Sequence, residues 1–136
     1  MREILFRGKT KNGEWKIGDL IIEWYGETPY IHWFEYSSLA LSREEKVIPE
    51  TVGQFTGLTD KNGKKIFEGD IVKAIEREHD EDENPIVVIG KMIFDDCCFG
   101  LKAKKVFDFY APIWDENIEL EVIGNVYDNP ELLKGE

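Results

Sequence analysis

Few residues of the types that perform catalysis or bind metals occur in this chain of 136 residues. The only two cysteines are adjacent, Cys97-Cys98, so they provide neither a structural staple nor a CxxC metal pair. A redox disulfide between neighbours would need a strained backbone, and Asp95-Asp96 beside them disfavours thiolates. We therefore expect free cysteines that are buried or half-buried. With His32 and His79 as the only histidines, a structural zinc site is hard to assemble.

No motif in the sequence indicates an enzyme. Neither His32 nor His79 stands near a serine or cysteine in a recognisable nucleophile motif, although a triad assembled by the fold is invisible at this level. Gly8, Gly13 and Gly18 lie in a strand context and do not open a helix, as a phosphate-binding loop requires. The sequence thus predicts no catalytic residue, no cofactor and no metal ion, and an enzyme is the least favoured class of function.

The charged run 76–83 contains the densest set of potential oxygen ligands. Carboxylate oxygens suit Ca²⁺ or Mg²⁺, but this run lacks the spaced acidic pattern and the glycine of an EF-hand loop. A solvated hairpin tip is therefore the favoured interpretation. The alternative is a contact surface for a basic partner. Its candidate residues are Asp80, Glu81, Asp82 and Glu83.

Aromatic residues are concentrated in the first 36 positions, which hold 8 of the 17 in the chain. Strand alternation cannot place all the aromatic residues of the segment 30–36 on one face. Packing in the core or between domains is the favoured interpretation. The alternative is an interface, because interfaces are enriched in the same residue types. The candidate contact residues are Trp24, Tyr25, Trp33 and Tyr36.

The charge balance is acidic and uneven, with a formal net charge of −11. Residues 76–136 carry 16 acidic and 6 basic side chains. A protein that binds nucleic acid neutralises phosphates with a basic face, so this balance disfavours such a partner. The sequence also has no apolar run long enough to span a membrane and no pattern of a signal peptide at its start. We expect a cytoplasmic protein without a membrane partner.

The periodicity is typical of a mainly β protein, since turn signals separate short runs of β-branched and aromatic residues. Asn12-Gly13 predicts a hairpin with a type I′ turn. Residues 42–46 form the only candidate helical turn of the first half, and Asn129-Pro130 predicts a short helical turn near the end. Strands are expected over residues 3–6, 19–25, 30–36, 70–76, 85–94 and 119–127.

A motif occurs twice in the chain, in residues 6–21 and 55–72. Both segments read F-x-G-x-T, then K-N-G, then G-D followed by two apolar residues. A repeated β-unit explains this order, since Asn-Gly closes a hairpin and Gly-Asp turns the chain into the next strand. The alternative is that two hairpins acquired similar turns separately. Both interpretations stay open at this point.

Three blocks of the sequence resemble the YopX family, small proteins encoded by phages and prophages of bacteria. They are REILFR at 2–7, VGQFTGLTDKNGKKIFEGDIV at 52–72 and EVIGNVYDNPELL at 121–133. The regions 24–48 and 76–118 match much less clearly. The resemblance implies a mostly β protein with an SH3-like small barrel in its C-terminal part and a bacterial host cell. It implies no activity and no site residues.

These observations predict two subdomains. Residues 1–50 are expected to form a β-hairpin and meander, and residues 51–136 an SH3-like barrel with a short helical turn at its end. The favoured function is a phage-encoded accessory protein that acts by protein contact, with itself as a homo-oligomer or with a host or phage protein. The alternative is a small barrel that binds nucleic acid. That alternative requires an aromatic residue beside a cluster of Lys64, Lys65, Lys102, Lys104 and Lys105.

Overall fold

The computed structural model of the protein describes residues 2–36, 40–76, 84–95, 97–103, 107–110 and 117–134. The chain forms two compact units, Met1–Gly57 and Leu58–Glu136. The described residues are mainly β, with eleven strands and two short 3₁₀ helices. The division into subdomains 1–50 and 51–136 that the sequence suggests stays a prediction. No helix of the described residues is long and apolar enough to cross a membrane.

The first unit is an antiparallel sheet with the strand order β4-β3-β2-β1-β5. A 3₁₀ helix, Pro49–Thr51, connects β4 to β5. The end of β5 passes the boundary of the unit and pairs with β6 in the second unit. The strands are β1 (Phe6–Lys9), β2 (Trp15–Ile22), β3 (Pro29–Tyr36), β4 (Ala40–Lys46) and β5 (Gly53–Thr59).

The second unit contains an antiparallel sheet with the strand order β10-β9-β8-β7-β11. A 3₁₀ helix, Pro130–Leu133, follows the last strand, as the sequence predicts. The strands of this unit are β6 (Lys65–Phe67), β7 (Asp70–Glu76), β8 (Ile86–Asp95), β9 (Cys98–Ala103), β10 (Phe107–Tyr110) and β11 (Ile118–Asn125).

The two sheets share one order of strands. In each unit four consecutive strands form a meander, and a fifth strand returns to pair antiparallel with the first. The sheet of the second unit is open, because its outermost strands β10 and β11 do not pair with each other in the part of the chain that the structure describes. The predicted SH3-like barrel is therefore not confirmed, whereas the mainly β class is.

The core of the second unit lies on one face of its sheet. Strand alternation brings apolar residues from four neighbouring strands to that face. Ile66 of β6 packs against them and is fully buried. Each Val, Leu, Ile or Met side chain contributes about 1.5–3 kcal/mol on burial, so this cluster provides much of the stability of the unit. The buried cluster comprises Ile66, Val72, Ala74, Met92, Leu101 and Leu120.

The two Asn-Gly turns have the same hydrogen bonds. In the first, the N–H of Thr10 donates to the carbonyl of Glu14, and the N–H of Gly13 donates to the carbonyl of Thr10. In the second, the N–H of Asp60 donates to the carbonyl of Lys64, and the N–H of Gly63 donates to the carbonyl of Asp60. Among the described residues only Cys97 is a non-glycine residue with positive φ, so Asn12 is not left-handed and the predicted type I′ turn is wrong.

Gly-Asp has different roles in the two segments that share the motif. Gly69 has a φ of 89°, and the buried carboxylate of Asp70 accepts a hydrogen bond from the N–H of Phe67 at 2.8 Å. This pair turns the chain into β7, as predicted. Gly18 and Asp19 instead lie in the middle of β2, where a Cβ on Gly18 would collide with the carbonyl oxygen of His32. The common origin of the two segments stays a prediction.

The predicted helical turn at residues 42–46 is wrong, because these residues belong to β4. Each of them pairs with a residue of β3, from Phe34 opposite Ser42 to Tyr30 opposite Lys46. The run of charged residues has good helix propensity, but propensity is a weak preference that tertiary pairing overrides. The charged side chains of an edge strand can also reach solvent on both faces, which makes this composition compatible with a strand.

Candidate functional site

One face of the first sheet combines exposed apolar residues with a line of polar ones. Residues directly opposite each other in neighbouring strands share a face, so the registers of β2, β3 and β4 define its members. The opposite face includes the fully buried Ile31. We name the face that carries the exposed apolar residues and the line of polar ones the outer face. Its side chains include Ile17, Asp19, Ile21, Tyr30, His32, Phe34, Tyr36, Ser42 and Glu44.

Three polar side chains of the outer face are joined by hydrogen bonds through an imidazole. His32 Nδ1 lies 3.2 Å from Asp19 Oδ2, and His32 Nε2 lies 2.6 Å from Ser42 Oγ. The carboxylate only accepts, so Nδ1 carries the proton in the neutral ring and Nε2 accepts from the hydroxyl. No sequence motif links the members of this group, which come from β2, β3 and β4.

Aromatic rings flank the imidazole on the outer face. The ring of Phe34 meets the His32 ring edge to face, with 4.9 Å between their centroids, and Tyr36 lies next along the strand. The side chain of His32 is 17% exposed, whereas that of Asp19 is 67% exposed. The imidazole is therefore largely covered, while its carboxylate partner faces solvent.

The register of two hairpins explains why these residues meet. The pairing of β2 with β3 is centred on Tyr25-Gly26, which places Asp19 directly opposite His32. The pairing of β3 with β4 then places Ser42 beside His32, opposite Phe34. Gly26, in the turn between β2 and β3, was the one signal in the sequence from which the Asp19–His32 contact could have been derived. The start of β4 carried no such signal.

The predicted aromatic contact residues lie in three different places. Trp24 and Tyr25 form an edge-to-face pair in the turn after β2, where 93% of Trp24 and 72% of Tyr25 is exposed. Tyr36, 83% exposed, lies at the far end of β3 on the outer face. Trp33 lies on the opposite face, half-buried, with the ammonium of Lys16 5.0 Å from its ring centroid. The candidates Asp80, Glu81, Asp82 and Glu83 fall outside the described residues.

Ionisable groups near these aromatic residues have shifted pKa values. A hydrogen bond to Glu14, together with the charge of Glu45 at 3.6 Å, raises the pKa of Lys16 above its ordinary value. Burial and a hydrogen bond to Glu23 raise the pKa of the Tyr30 hydroxyl. Both shifts keep the groups in the protonated form that they already have at neutral pH, so neither creates a proton donor or acceptor for catalysis.

The basic residues do not form a stacking platform in the described part of the chain. Lys102 lies directly opposite Lys91, and both side chains project from one face of the second sheet. The ring pair of Phe94 and Phe99 lies on the other face of the same strands, because alternate residues point to opposite sides. Lys64 belongs to the turn between β5 and β6. Lys104 and Lys105 fall outside the described residues.

The two cysteines are free and exposed, which corrects the expectation that they are buried. Cys97 lies in the turn between β8 and β9 with a φ of 65°, and Cys98 is the first residue of β9. The thiol of Cys98 donates to the carbonyl oxygen of Asp95 at 3.4 Å. Within the described ranges, no three His, Cys, Asp or Glu side chains are arranged to hold a metal ion.

A shallow groove of about 420 Å³ lies beside the first Asn-Gly turn. Its walls come from residues 10–12 and from residues 45–49, which include the buried Val47, one proline and two charged residues. The N–H of Ile48 donates to the carbonyl of Lys9, so the backbone lining the groove is already paired there. The lining surface of the groove is mostly apolar, so it offers little polar surface to fix the orientation of a small ligand.

Comparisons with known proteins give a family and no activity. The family model "YopX protein" matches residues 5–134. The SPbeta prophage-derived uncharacterized protein YopX of Bacillus subtilis strain 168 is 34% identical over 76 residues. That alignment spans 54% of this chain and 53% of the relative, so the chain covers about half the length of the curated relative that it matches.

Two crystal structures have the same fold. One is protein EF1440 from Enterococcus faecalis, with a TM-score of 0.60 and 21% identity. The other is YopX from Bacillus subtilis, with a TM-score of 0.60 and 24% identity. Each comparison covers 98% of this chain and 100% of the other. Because the family model extends over nearly the whole sequence, the chain belongs to the YopX family.

Proposed function

We propose that this protein is a phage-encoded accessory protein that acts by binding another protein. The observation that carries the proposal is the exposure of Trp24 and Tyr25 in the turn between β2 and β3. Aromatic side chains bury about 150–250 Å² each when covered, and they are enriched at protein interfaces. Two adjacent rings in solvent are a costly surface for a protein that acts alone. The prophage origin of the Bacillus subtilis relative supports the phage-encoded part of the proposal.

The net charge of −11 favours a basic partner. The acidic run that contains Asp80, Glu81, Asp82 and Glu83 is the candidate for that contact. Electrostatic attraction of this kind speeds the encounter of two proteins and weakens with added salt. The aromatic turn would then supply the apolar anchor, and the acidic run the attraction at longer range.

A second copy of the chain is the other proposed partner. Strand β4 is an outermost strand of the first sheet, with β3 as its only neighbour among the described strands. Backbone groups on such an edge can pair with a further strand.

We also propose the SH3-like layout for the second unit. It is supported by the strand order of the second sheet, in which β11 returns beside β7.

Nucleic-acid binding is the weaker alternative. The cations at Lys91 and Lys102 and the rings at Phe94 and Phe99 lie on opposite faces of the sheet, so one strand of nucleic acid does not reach both. Binding of single strands combines a basic groove with aromatic rings on the same surface. The acidic balance of the chain also opposes a polyanion.

The test is affinity capture from untreated and nuclease-treated bacterial lysates with wild-type protein and with Trp24→Ala/Tyr25→Ala. Ile86→Ala is the matched control, since Ile86 is also exposed but lies on β8. We expect one protein to be captured by the wild type and the control and lost with the double variant. Capture that is equal for all three proteins, or that disappears with nuclease treatment, would contradict the proposal. The mass in solution of the purified protein separately tests self-association.

A further inference from the structure

The hydrogen bonds of the outer face arrange Ser42, His32 and Asp19 as a nucleophile, a base and a group that orients the base. A serine is activated when a neighbouring imidazole takes its proton, and that imidazole needs a third group to set its tautomer. Ser42 Oγ is 2.6 Å from Nε2, which is within reach for proton transfer. Asp19 Oδ2 is 3.2 Å from Nδ1, on the far side of the ring. This is the connectivity of a catalytic triad.

The backbone at Ser42 provides a hydrogen-bond donor for a developing oxyanion. The N–H of Val47 donates to the carbonyl of Pro29, so the odd-numbered residues of β4 are the ones that bond to β3. By alternation, the N–H of Ser42 points away from β3. Strand β4 has no second neighbour among the described strands, so this N–H faces the open edge of the sheet. An acyl oxygen at that edge can accept from the amide of the nucleophile itself.

The side chains around Ser42 indicate which acyl donor would fit. Phe34 lies directly opposite Ser42 and is half exposed, which offers an apolar surface for a leaving group or an acyl chain. Glu44 lies directly opposite His32, and Asp19 lies on its other side. Two carboxylates beside the imidazole disfavour anionic substrates by repulsion. Neutral esters with an apolar part are therefore the substrate class that this surface accommodates.

We propose that Ser42 is a base-activated nucleophile and that the outer face catalyses acyl transfer from neutral esters to water. Ser42 Oγ attacks the acyl carbon while its proton passes to His32 Nε2. The bond from the acyl carbon to the leaving alkoxide or phenolate oxygen then breaks, and the leaving group takes up the proton from His32 or from solvent. Water, deprotonated by His32, attacks the acyl-serine. The carboxylic acid departs and Ser42 recovers its hydroxyl. His32 and Ser42 are the catalytic residues, and Asp19 is a positioning residue.

The experiment measures acylation by p-nitrophenyl acetate and labelling by a fluorophosphonate probe, with the modified residue located by peptide mass mapping. Because exposed thiols also react with esters, all proteins carry Cys97→Gly and Cys98→Ser. Glycine suits the positive φ of Cys97. Mapping separates Ser42 from Ser37 and Ser38, the only other serines of the natural chain.

We expect a burst of p-nitrophenolate of about one equivalent per chain, as acyl-enzyme accumulation produces, and an acyl group on Ser42. Ser42→Ala should abolish both the burst and the probe label. His32→Gln should slow acylation by about 100-fold or more, the usual contribution of general base catalysis. Asp19→Asn should slow it by about 10-fold, a smaller effect because this carboxylate is largely solvated and its charge is screened. Glu35→Gln, on the opposite face of β3, should leave acylation unchanged.

The split between kcat and KM separates a chemical role from a structural one. His32→Gln and Asp19→Asn should lower kcat and leave KM for the ester nearly unchanged, because each removes an interaction that acts in the transition state. Acylation confined to lysines, equal rates in wild type and His32→Gln, or no acylation of Ser42 would each overturn the proposal. Melting curves establish that every variant is folded.

Discussion

The carboxylate of Asp60 accepts a hydrogen bond from the backbone N–H of Val122 at 3.0 Å, although 62 residues separate the two in the chain. The other carboxylate oxygen accepts from the N–H groups of Asn62 and Lys64 in its own turn. Asp60 therefore closes the β5–β6 turn and joins that turn to the edge strand β11. The N–H of Lys61, which donates to the carbonyl of Leu120, strengthens the same junction.

Asp60→Asn is expected to destabilise the protein by about 1–3 kcal/mol, the cost of leaving a buried backbone donor without its acceptor. One carboxylate oxygen becomes an amide nitrogen, which places a donor against a donor in one of the three hydrogen bonds. Urea unfolding at pH 7 measures the change in free energy. Asp19→Asn is the matched control. Because Asp19 is exposed, this substitution should lower the free energy of unfolding by less than about 0.5 kcal/mol. Equal effects of the two substitutions would contradict this account.

The stabilising effect of Asp60 should depend on pH. Burial of the carboxylate raises its pKa, but the N–H groups of Val122, Lys64 and Asn62 outweigh burial and lower the pKa of Asp60 below its ordinary value of 3.8. A carboxylate with a lowered pKa in the folded state contributes stability above the unfolded value and loses it as the pH falls through the folded value. The difference in unfolding free energy between wild type and Asp60→Asn should thus shrink below about pH 4. A difference of the same size at pH 7 and pH 3 would refute this.

Two glycines with similar backbone angles should respond differently to a methyl group. Gly63 has a φ of 79° and open space where a Cβ would stand, whereas Gly69 has a φ of 89° and Cε2 of Tyr127 only 2.9 Å from that position. Gly63→Ala should lower the free energy of unfolding by about 1–2 kcal/mol, because a residue with a Cβ is strained in the left-handed conformation. Gly69→Ala should cost more, since steric overlap with the ring is added. Thermal or urea unfolding of the two variants compares them directly, and a larger loss for Gly63→Ala would be the contrary outcome.

Cys97→Gly is expected to stabilise the protein, because Cys97 holds a φ of 65° that side chains with a Cβ rarely adopt. Relief of that strain is worth about 1–2 kcal/mol, and the greater freedom of glycine in the unfolded chain offsets about 0.5–1 kcal/mol of it. A net gain of about 0.5 kcal/mol should therefore appear as a higher urea midpoint. Cys98→Ala, at an exposed position without that strain, should change little. A lower midpoint for Cys97→Gly would show that the thiol stabilises the turn.

Sequence reasoning reached the elements that depend on local chemistry. Gly69-Asp70, the 3₁₀ turn at Pro130 and the strand ending at Tyr36 were predicted because a glycine, a proline or an aromatic-rich run specifies each of them within a few residues. The error at residues 42–46 has the opposite origin. Those residues prefer a helix locally, and only the partner strand β3 makes them extended.

The candidate site was out of reach for a related reason. Asp19, His32 and Ser42 meet through the registers of two hairpins, and a shift of one residue in either register would send a side chain to the other face. Trp24 and Tyr25 were named as candidate contact residues by their aromatic type, but the sequence placed them in a strand over 19–25, whereas β2 ends at Ile22 and they lie in the turn after it. Residues that act from one turn can be recognised in a sequence, whereas residues that act across strands require the pairing.

The composition of strand β4 also bears on how the protein avoids fibril growth. An unprotected strand at the rim of a sheet can template the addition of further chains, and a short apolar run with high β propensity favours addition without limit. From Arg43 to Lys46 every side chain is charged, and the charges fall on both faces of the strand. A parallel, in-register stack of copies would bring like charges together and strip water from them. The strand therefore stays available to a specific binder while it resists indefinite stacking of the chain on itself.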